Sequence, residues 1–247
     1  MKIAVITPYY KESTEVLLQC HQSVLAQQVQ ADHYMVSDGF PNPKVDKWKV
    51  EHIKLSRPHS DNGNTPRGIG SLLAQNEGYD FVSYLDADNW FHPNHLSSLL
   101  ALYEKTKSCV LSSFRTFHTL DGLDMKITET QEDQLEHIDT SCYLLHKDAF
   151  ELLPLWTQMH KRLSPICDRI FFAAIKHRRL PIRSTGQPTV AFRSQYASHY
   201  QHARLDIPEN AKTSSEFSDT LNFLKSVSGV ADCVKNIGFW PLPYLLK

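Results

Sequence analysis

Short apolar runs alternate with stretches of helical periodicity through the first two-thirds of the chain, and this alternation restricts the fold more than any other feature. It is the sign of β-α-β units and of an α/β architecture with a mostly parallel sheet flanked by helices. Predicted strands span 2–7, 33–37, 51–55, 81–85 and 109–117. Between them, 13–27, 66–77 and 93–106 read as helices. The last two begin with proline, whose missing N–H costs nothing in a first turn. Consecutive parallel strands end on one edge of their sheet, which is where ligands of such sheets usually bind.

Beyond Thr119 the pattern loosens. Asp121-Gly122 reads as a turn and 128–134 as an exposed polar loop or hairpin. A strand at 141–146, a helix at 166–178, a strand at 189–193 and a polar helix at 210–225 follow. The last stretch, 238–246, reads GFWPLPYLL. It is expected to pack against the main body, with docking to a membrane surface or a partner as the alternative. We divide the chain into one α/β domain over 1–205 and a C-terminal helical extension with an apolar tail over 206–247.

With 247 residues, 41% of them hydrophobic, the chain is long enough for a sizeable core. Its 26 Lys plus Arg against 27 Asp plus Glu leave a formal charge of -1, so no overall basic field exists to hold nucleic acid. The five cysteines are odd in number, far apart and without a C-x-x-C pair, which predicts reduced thiols in a cytoplasmic protein. The first apolar run is ended by Thr7 and Pro8, too early for a signal peptide. No stretch approaches the roughly 20 apolar residues that span a bilayer. The chain is therefore expected to start at Met1 in the cytoplasm, with peripheral contact at the inner face of the membrane as an extension of that reading.

The most informative segment chemically is Phe81-Val-Ser-Tyr-Leu85 followed by Asp86-Ala87-Asp88. Two carboxylates at the mouth of a buried strand are costly to desolvate unless something compensates their charge. A divalent cation does so, and oxygen ligands suit Mn²⁺ or Mg²⁺, which keep positions open for phosphate oxygens. His92 and His95 invite a zinc reading, but Pro93 lies between them and no H-E-x-x-H base is present, so surface or helix-capping roles are expected. Gly63 and Gly68 have the spacing of a phosphate loop without its Lys and Ser or Thr. Gly68-Ile-Gly70 starts a dinucleotide fingerprint that Leu73 interrupts. If the first two strands are parallel neighbours, Thr7, Tyr9 and Asp38 reach the same sheet edge as Asp86 and Asp88. A carboxylate there can accept the imide N–H of a uracil ring while an aromatic residue holds its face.

Taken together, these segments resemble the family 2 glycosyltransferases, nucleotide-sugar enzymes with the GT-A fold, over about residues 1 to 200. Thr7-Pro8-Tyr9-Tyr10 is similar to that family's T-P-x-Y turn, and the segment from Ser23 to Gln28 to the helix after it. Asp38-Gly39 matches a D-D-G turn whose first Asp is Ser37 here. Pro66-Arg67-Gly68-Ile69-Gly70 looks like its A-R-N-x-G helix start, and Asp86-Ala87-Asp88 its D-x-D element. The resemblance implies that Thr7, Pro8, Tyr9, Asp38, Arg67, Asp86 and Ala87 bind the nucleotide and that Asp88 ligates the metal. Cys167-Asp168-Arg169 matches the E-D element of inverting members with Cys167 in place of the first acid, which makes Asp168 the implied catalytic base. Asp139 is the competing carboxylate, on the acceptor side. His199, rather than His202, is the implied second metal ligand.

The implied activity is transfer of a sugar, with inversion, from a nucleoside-diphosphate sugar (UDP-sugar favoured) to a glycan or lipid-linked acceptor hydroxyl. Cell-surface glycan or lipopolysaccharide synthesis is the setting that membership suggests. Two alternatives stand beside it. One is a haloacid-dehalogenase-like phosphohydrolase with Asp86 as nucleophile; the other is an inactive nucleotide-sugar binding module.

Overall fold

Seven consecutive buried residues, Ile3–Tyr9, form the strand around which the sheet is ordered. Such a run has no polar alternation because helices cover both faces of a central parallel strand. The computed structural model describes residues 1–213 and 217–245. Its strands are β1 (Ile3–Tyr9), β2 (Asp32–Ser37), β3 (Glu51–Lys54), β4 (Phe81–Tyr84), β5 (Trp90–Phe91), β6 (Val110–His118), β7 (Asp124–Thr128), β8 (Tyr143–His146) and β9 (Ile182–Arg193). They pair in the order β3-β2-β1-β4-β8-β6-β9-β5, with β7 added beside β6. β3, β2, β1 and β4 run parallel. β8 is antiparallel to both β4 and β6, whereas β6 and β9 are parallel.

The helices are α1 (Thr14–Leu25), α2 (Asn64–Asn76), α3 (His95–Thr106), α4 (Asp133–Glu136), α5 (Leu155–Gln158), α6 (Cys167–His177), α7 (Ala197–Ala203), α8 (Ser218–Lys225), α9 (Val227–Asn236) and α10 (Leu242–Leu245). Ser13 caps α1 by accepting from the Val16 N–H at 3.4 Å. α2 carries two glycines because it is pressed between the sheet and α5. A Cβ on Gly70 would lie 2.7 Å from Ile6 Cγ2, and one on Gly68 would lie 2.5 Å from Thr157 Cγ2. The Gly68-Ile-Gly70 pair thus answers a packing demand and not a phosphate.

Several sequence expectations are corrected. The polar stretch 128–134 is exposed at Thr128 and from Thr130 to Asp133, as expected, but Glu129 and Gln134 are buried, drawn inward by Arg115 of β6 and the Ser113 carbonyl. The last strand begins at Ile182, not 189, because β6 offers it a partner along most of its length. The predicted helix at 210–225 is helical as α8 from Ser218, and α9 follows it directly. Residues 214–216 of that prediction, and Leu246 of the predicted tail, lie outside the described residues.

His92 and His95 form no metal site. His95 is fully buried, pairs through Nδ1 with Thr189 Oγ1 at 2.9 Å and stacks on Phe91, while His92 faces Thr116. The C-terminal tail packs against the body. Phe239 and Leu242 are buried in the main core together with Phe223, Leu224, Cys233 and Ile237. His177 of α6 stacks on Phe239 and pairs with the Tyr244 hydroxyl at 2.9 Å. Among the described residues, no helix is long and apolar enough to cross a membrane.

Candidate active site

The chain leaves β1 towards β2 on one side and later returns to β4 on the other, so the strand order reverses between β1 and β4. A crevice opens at the carboxyl ends of strands at such a point. Here it is a cleft of about 710 Å³. Pro8 and Tyr9 enter from β1, Asp38 from the turn after β2, and Asp86 and Asp88 from the turn after β4. Arg67 comes from the first turns of α2, Asp168 from the start of α6, and His199 from α7.

Arg67 and Asp86 form the floor. The guanidinium, 2% exposed, donates from Nη2 to Asp86 Oδ1 at 2.7 Å and from Nη1 to Asn64 Oδ1 at 3.2 Å. Its carbon lies 4.7 Å from the centroid of the Trp156 ring. Gly63, which caps α2 at φ 79°, makes room for this arrangement beside Pro8. Burial raises the Asp86 carboxyl, and the Arg67 charge opposes that rise.

Asp88 sits among like charges. Burial, then the neighbouring carboxylates of Asp86 and Glu12, push its pKa up to about 7. A cation beside it would remove that penalty, so the donor chemistry fits Mn²⁺ or Mg²⁺. Among the described residues no cluster of three or more His, Cys, Asp or Glu is arranged to hold a metal ion. A cation at Asp88 would therefore fill its shell mostly with water and ligand oxygens. His199 lines the same cleft, its Nδ1 paired with Ser194 Oγ at 2.7 Å and its ring 4.4 Å from that of Phe117. Burial, reinforced by the Arg115 charge, lowers its pKa to about 4, which keeps the imidazole neutral. Neutral imidazole is the form that ligates metals.

Asp38 is already heavily engaged. Its Oδ1 accepts from the His59 backbone N–H at 2.9 Å and pairs with His59 Nδ1 at 2.7 Å, and its Oδ2 accepts from the Ser60 N–H at 3.2 Å. The carboxylate thus fastens the loop before α2 to the end of β2. The Tyr9 ring is pinned by its hydroxyl, which pairs with His52 Nε2 at 2.6 Å and accepts from the Asn42 N–H at 2.9 Å. Two sequence-singled residues do not present side chains to the cleft. Thr7 is fully buried and pairs with His33 Nε2 at 2.8 Å, because it faces α1. Ala87 is buried in a small cluster with Tyr9, Leu17, Met35 and Val45.

Asp168 stands in the first turn of α6, where its Oδ1 accepts from the Arg169 N–H at 2.8 Å. His137 Nε2 lies 3.8 Å from its Oδ2. Beside it the Cys167 thiol is buried and pushed up to about 12 by desolvation, so it is no nucleophile at neutral pH. Sequence reasoning missed Arg115, Glu129 and His137. The available signal was Arg115 itself, a charged side chain between two aromatic residues of β6, Phe114 and Phe117.

The solved structures similar to this chain include S. aureus TarS 1–349 in complex with UDP, at 15% identity and TM-score 0.60, covering 91% of this chain and 71% of that one. S. aureus TarS 1–349 in complex with UDP-GlcNAc is similar at 14% identity and TM-score 0.58, over 81% of this chain and 61% of that one. A further S. aureus TarS structure has 13% identity and TM-score 0.58, and this chain covers 43% of its length. At such identities the likeness establishes the fold, a GT-A sheet flanked by helices. No curated protein matches the sequence. The family described as Glycosyl transferase family 2 matches residues 4–159, more than half of the chain, and its span takes in β1, the turn after β2, the start of α2 and the Asp86-Ala87-Asp88 turn. The chain belongs to glycosyl transferase family 2.

Proposed function

We propose that this protein is an inverting glycosyltransferase that moves a sugar from a uridine-diphosphate sugar to the hydroxyl of a glycan or lipid-linked acceptor. The observation that carries the reading is the convergence of Asp38, Arg67, Asp86, Asp88 and Asp168 on one cleft at the switch point of the sheet. The UDP and UDP-GlcNAc complexes of the similar TarS fold favour uridine as the base.

In this reading Tyr9 and Asp38 bound the nucleobase end, and Arg67, held rigid by Asp86 and Trp156, faces the nucleotide. The family generally uses a divalent cation. Asp88, with His199 as a second ligand, would hold it, and the ion supplies charge neutralisation at the diphosphate. Asp168 accepts the proton of the acceptor hydroxyl while that oxygen bonds to the anomeric carbon. The bond from that carbon to the diphosphate oxygen breaks with its electron pair, and the nucleoside diphosphate leaves. A positioned base of this kind contributes roughly 10²–10⁴ in rate.

The phosphohydrolase alternative finds no support, since Asp86 follows the fourth strand rather than the first and the family is one of transferases. The test is a thermal-shift panel of UDP-, GDP- and dTDP-sugars with and without Mn²⁺, followed by assay of nucleoside diphosphate release. Stabilisation by UDP-sugars that requires Mn²⁺, together with release, is the expected result. No stabilisation by any of them overturns the reading, and binding without release identifies a binding module instead.

A further inference from the structure

Besides Arg67, the cleft is lined by a second buried arginine. Arg115 of β6 is 6% exposed and lines the cleft. Its Nε and Nη2 donate to Glu129 Oε1 at 3.1 and 2.6 Å, and its Nη1 donates to Asp139 Oδ2 at 3.1 Å. Glu129, 3% exposed, is held by the Arg115 backbone N–H and by Gln134. Asp139 is fixed by the Ser141 N–H, which donates to its Oδ1 at 2.9 Å. The guanidinium lies 5.1 Å from the Phe117 ring and 4.9 Å from the Phe192 ring. A buried ion triad often stabilises a fold no better than apolar side chains of similar volume, so fold stability alone does not account for one that lines a cleft.

We propose that Arg115 and Asp139 form the subsite for the donor sugar, reading adjacent hydroxyls, and so determine which sugar is accepted. This rests on the nucleotide-sugar reading above and deepens it.

Three features point to a polyhydroxyl group. First, one cation between two anions carries a net charge of minus one, which makes a poor anchor for phosphate. Second, a guanidinium has five N–H donors, three of which are accounted for, so donors remain, and the Asp139 carboxylate keeps lone pairs beside them. A vicinal diol needs a donor and an acceptor side by side, which is what a guanidinium–carboxylate pair offers. Third, the position is right. Ser141, whose N–H holds Asp139, accepts the Asp86 N–H on its Oγ at 3.1 Å, while His137, two residues before Asp139 in the chain, lies 3.8 Å from Asp168. The pair therefore shares the cleft with the turn that carries Asp86 and Asp88 and with the start of α6 that carries Asp168, the stretch the transferred ring would occupy.

Calorimetry with Mn²⁺ present tests this, using UDP, UDP-glucose, UDP-galactose and UDP-GlcNAc as probes against the wild type, Arg115→Lys and Asp139→Asn. Both variants should bind UDP as the wild type does. Their affinity for the preferred UDP-sugar should fall about tenfold or more, the cost of a lost charge-assisted hydrogen bond, and the ranking of the sugars should change. If Arg115→Lys fails to fold in a melting scan, Asp139→Asn carries the same comparison, because it keeps the side-chain shape and the Oδ1 cap. Equal losses for UDP and UDP-sugars, or an unchanged ranking, would overturn the subsite. A wild type that binds neither UDP nor any UDP-sugar removes the underlying reading as well, and that outcome is visible before any variant is made.

Discussion

His137 Nε2 lies 3.8 Å from Asp168 Oδ2 at the rim of the cleft, too far for a hydrogen bond and near enough for charge interaction. His137 therefore makes no hydrogen bond to that carboxylate oxygen. In Asp168→Asn, nucleotide-sugar binding should persist while transfer falls by roughly 10²–10⁴, as expected on removing a general base. Parallel measurement of UDP-sugar affinity and of UDP release decides the matter; normal turnover would reject Asp168 as the base.

Asp88→Ala removes the carboxylate crowded by Asp86 and Glu12. Mn²⁺-dependent binding of UDP in a calorimeter should disappear. The apo protein should melt no lower than the wild type, because a like-charged neighbour has been taken away. Undiminished Mn²⁺-dependent binding would sink the metal assignment.

Gly70→Ala tests the packing of α2 on the sheet. The new Cβ would stand 2.7 Å from Ile6 Cγ2 and 3.0 Å from Val36 Cγ2, both on central strands. Overpacking of this kind costs about 1–3 kcal/mol, to be read from urea unfolding. An unaltered midpoint would mean that α2 is less tightly held than described.

His95 predicts acid sensitivity. Burial, with His92 nearby, lowers its pKa from 6.5 to about 3. The unfolded chain takes up a proton that the folded chain refuses. The contribution is thus fully present above pH 6.5 and is lost as pH falls towards 3. The slope is at most about 1.4 kcal/mol per pH unit. His95→Asn keeps a polar atom near Nδ1 but cannot charge. It should lower stability at pH 7 and flatten the pH dependence between about pH 6 and pH 4; an equally steep fall would assign the acid sensitivity to other groups.

The parallel β-α-β half and the residues at its edge are legible in local pattern alone. Strand and helix periods are local properties, and a buried parallel strand must be apolar along its whole length. For that reason the pattern of strands alone puts Tyr9, Asp38, Asp86 and Asp88 at one edge of a sheet. The other half of the cleft follows from long-range packing. The insertion of β8 antiparallel between β4 and β6, the burial of Glu129 beneath Arg115 and the approach of His137 to Asp168 all depend on partners far apart in the chain. Side-chain direction was also decided there: Thr7 turns inward to His33, and Asp38 turns to His59. The physical reason is that a polar residue's partner is chosen by packing in three dimensions, and no local period encodes that choice.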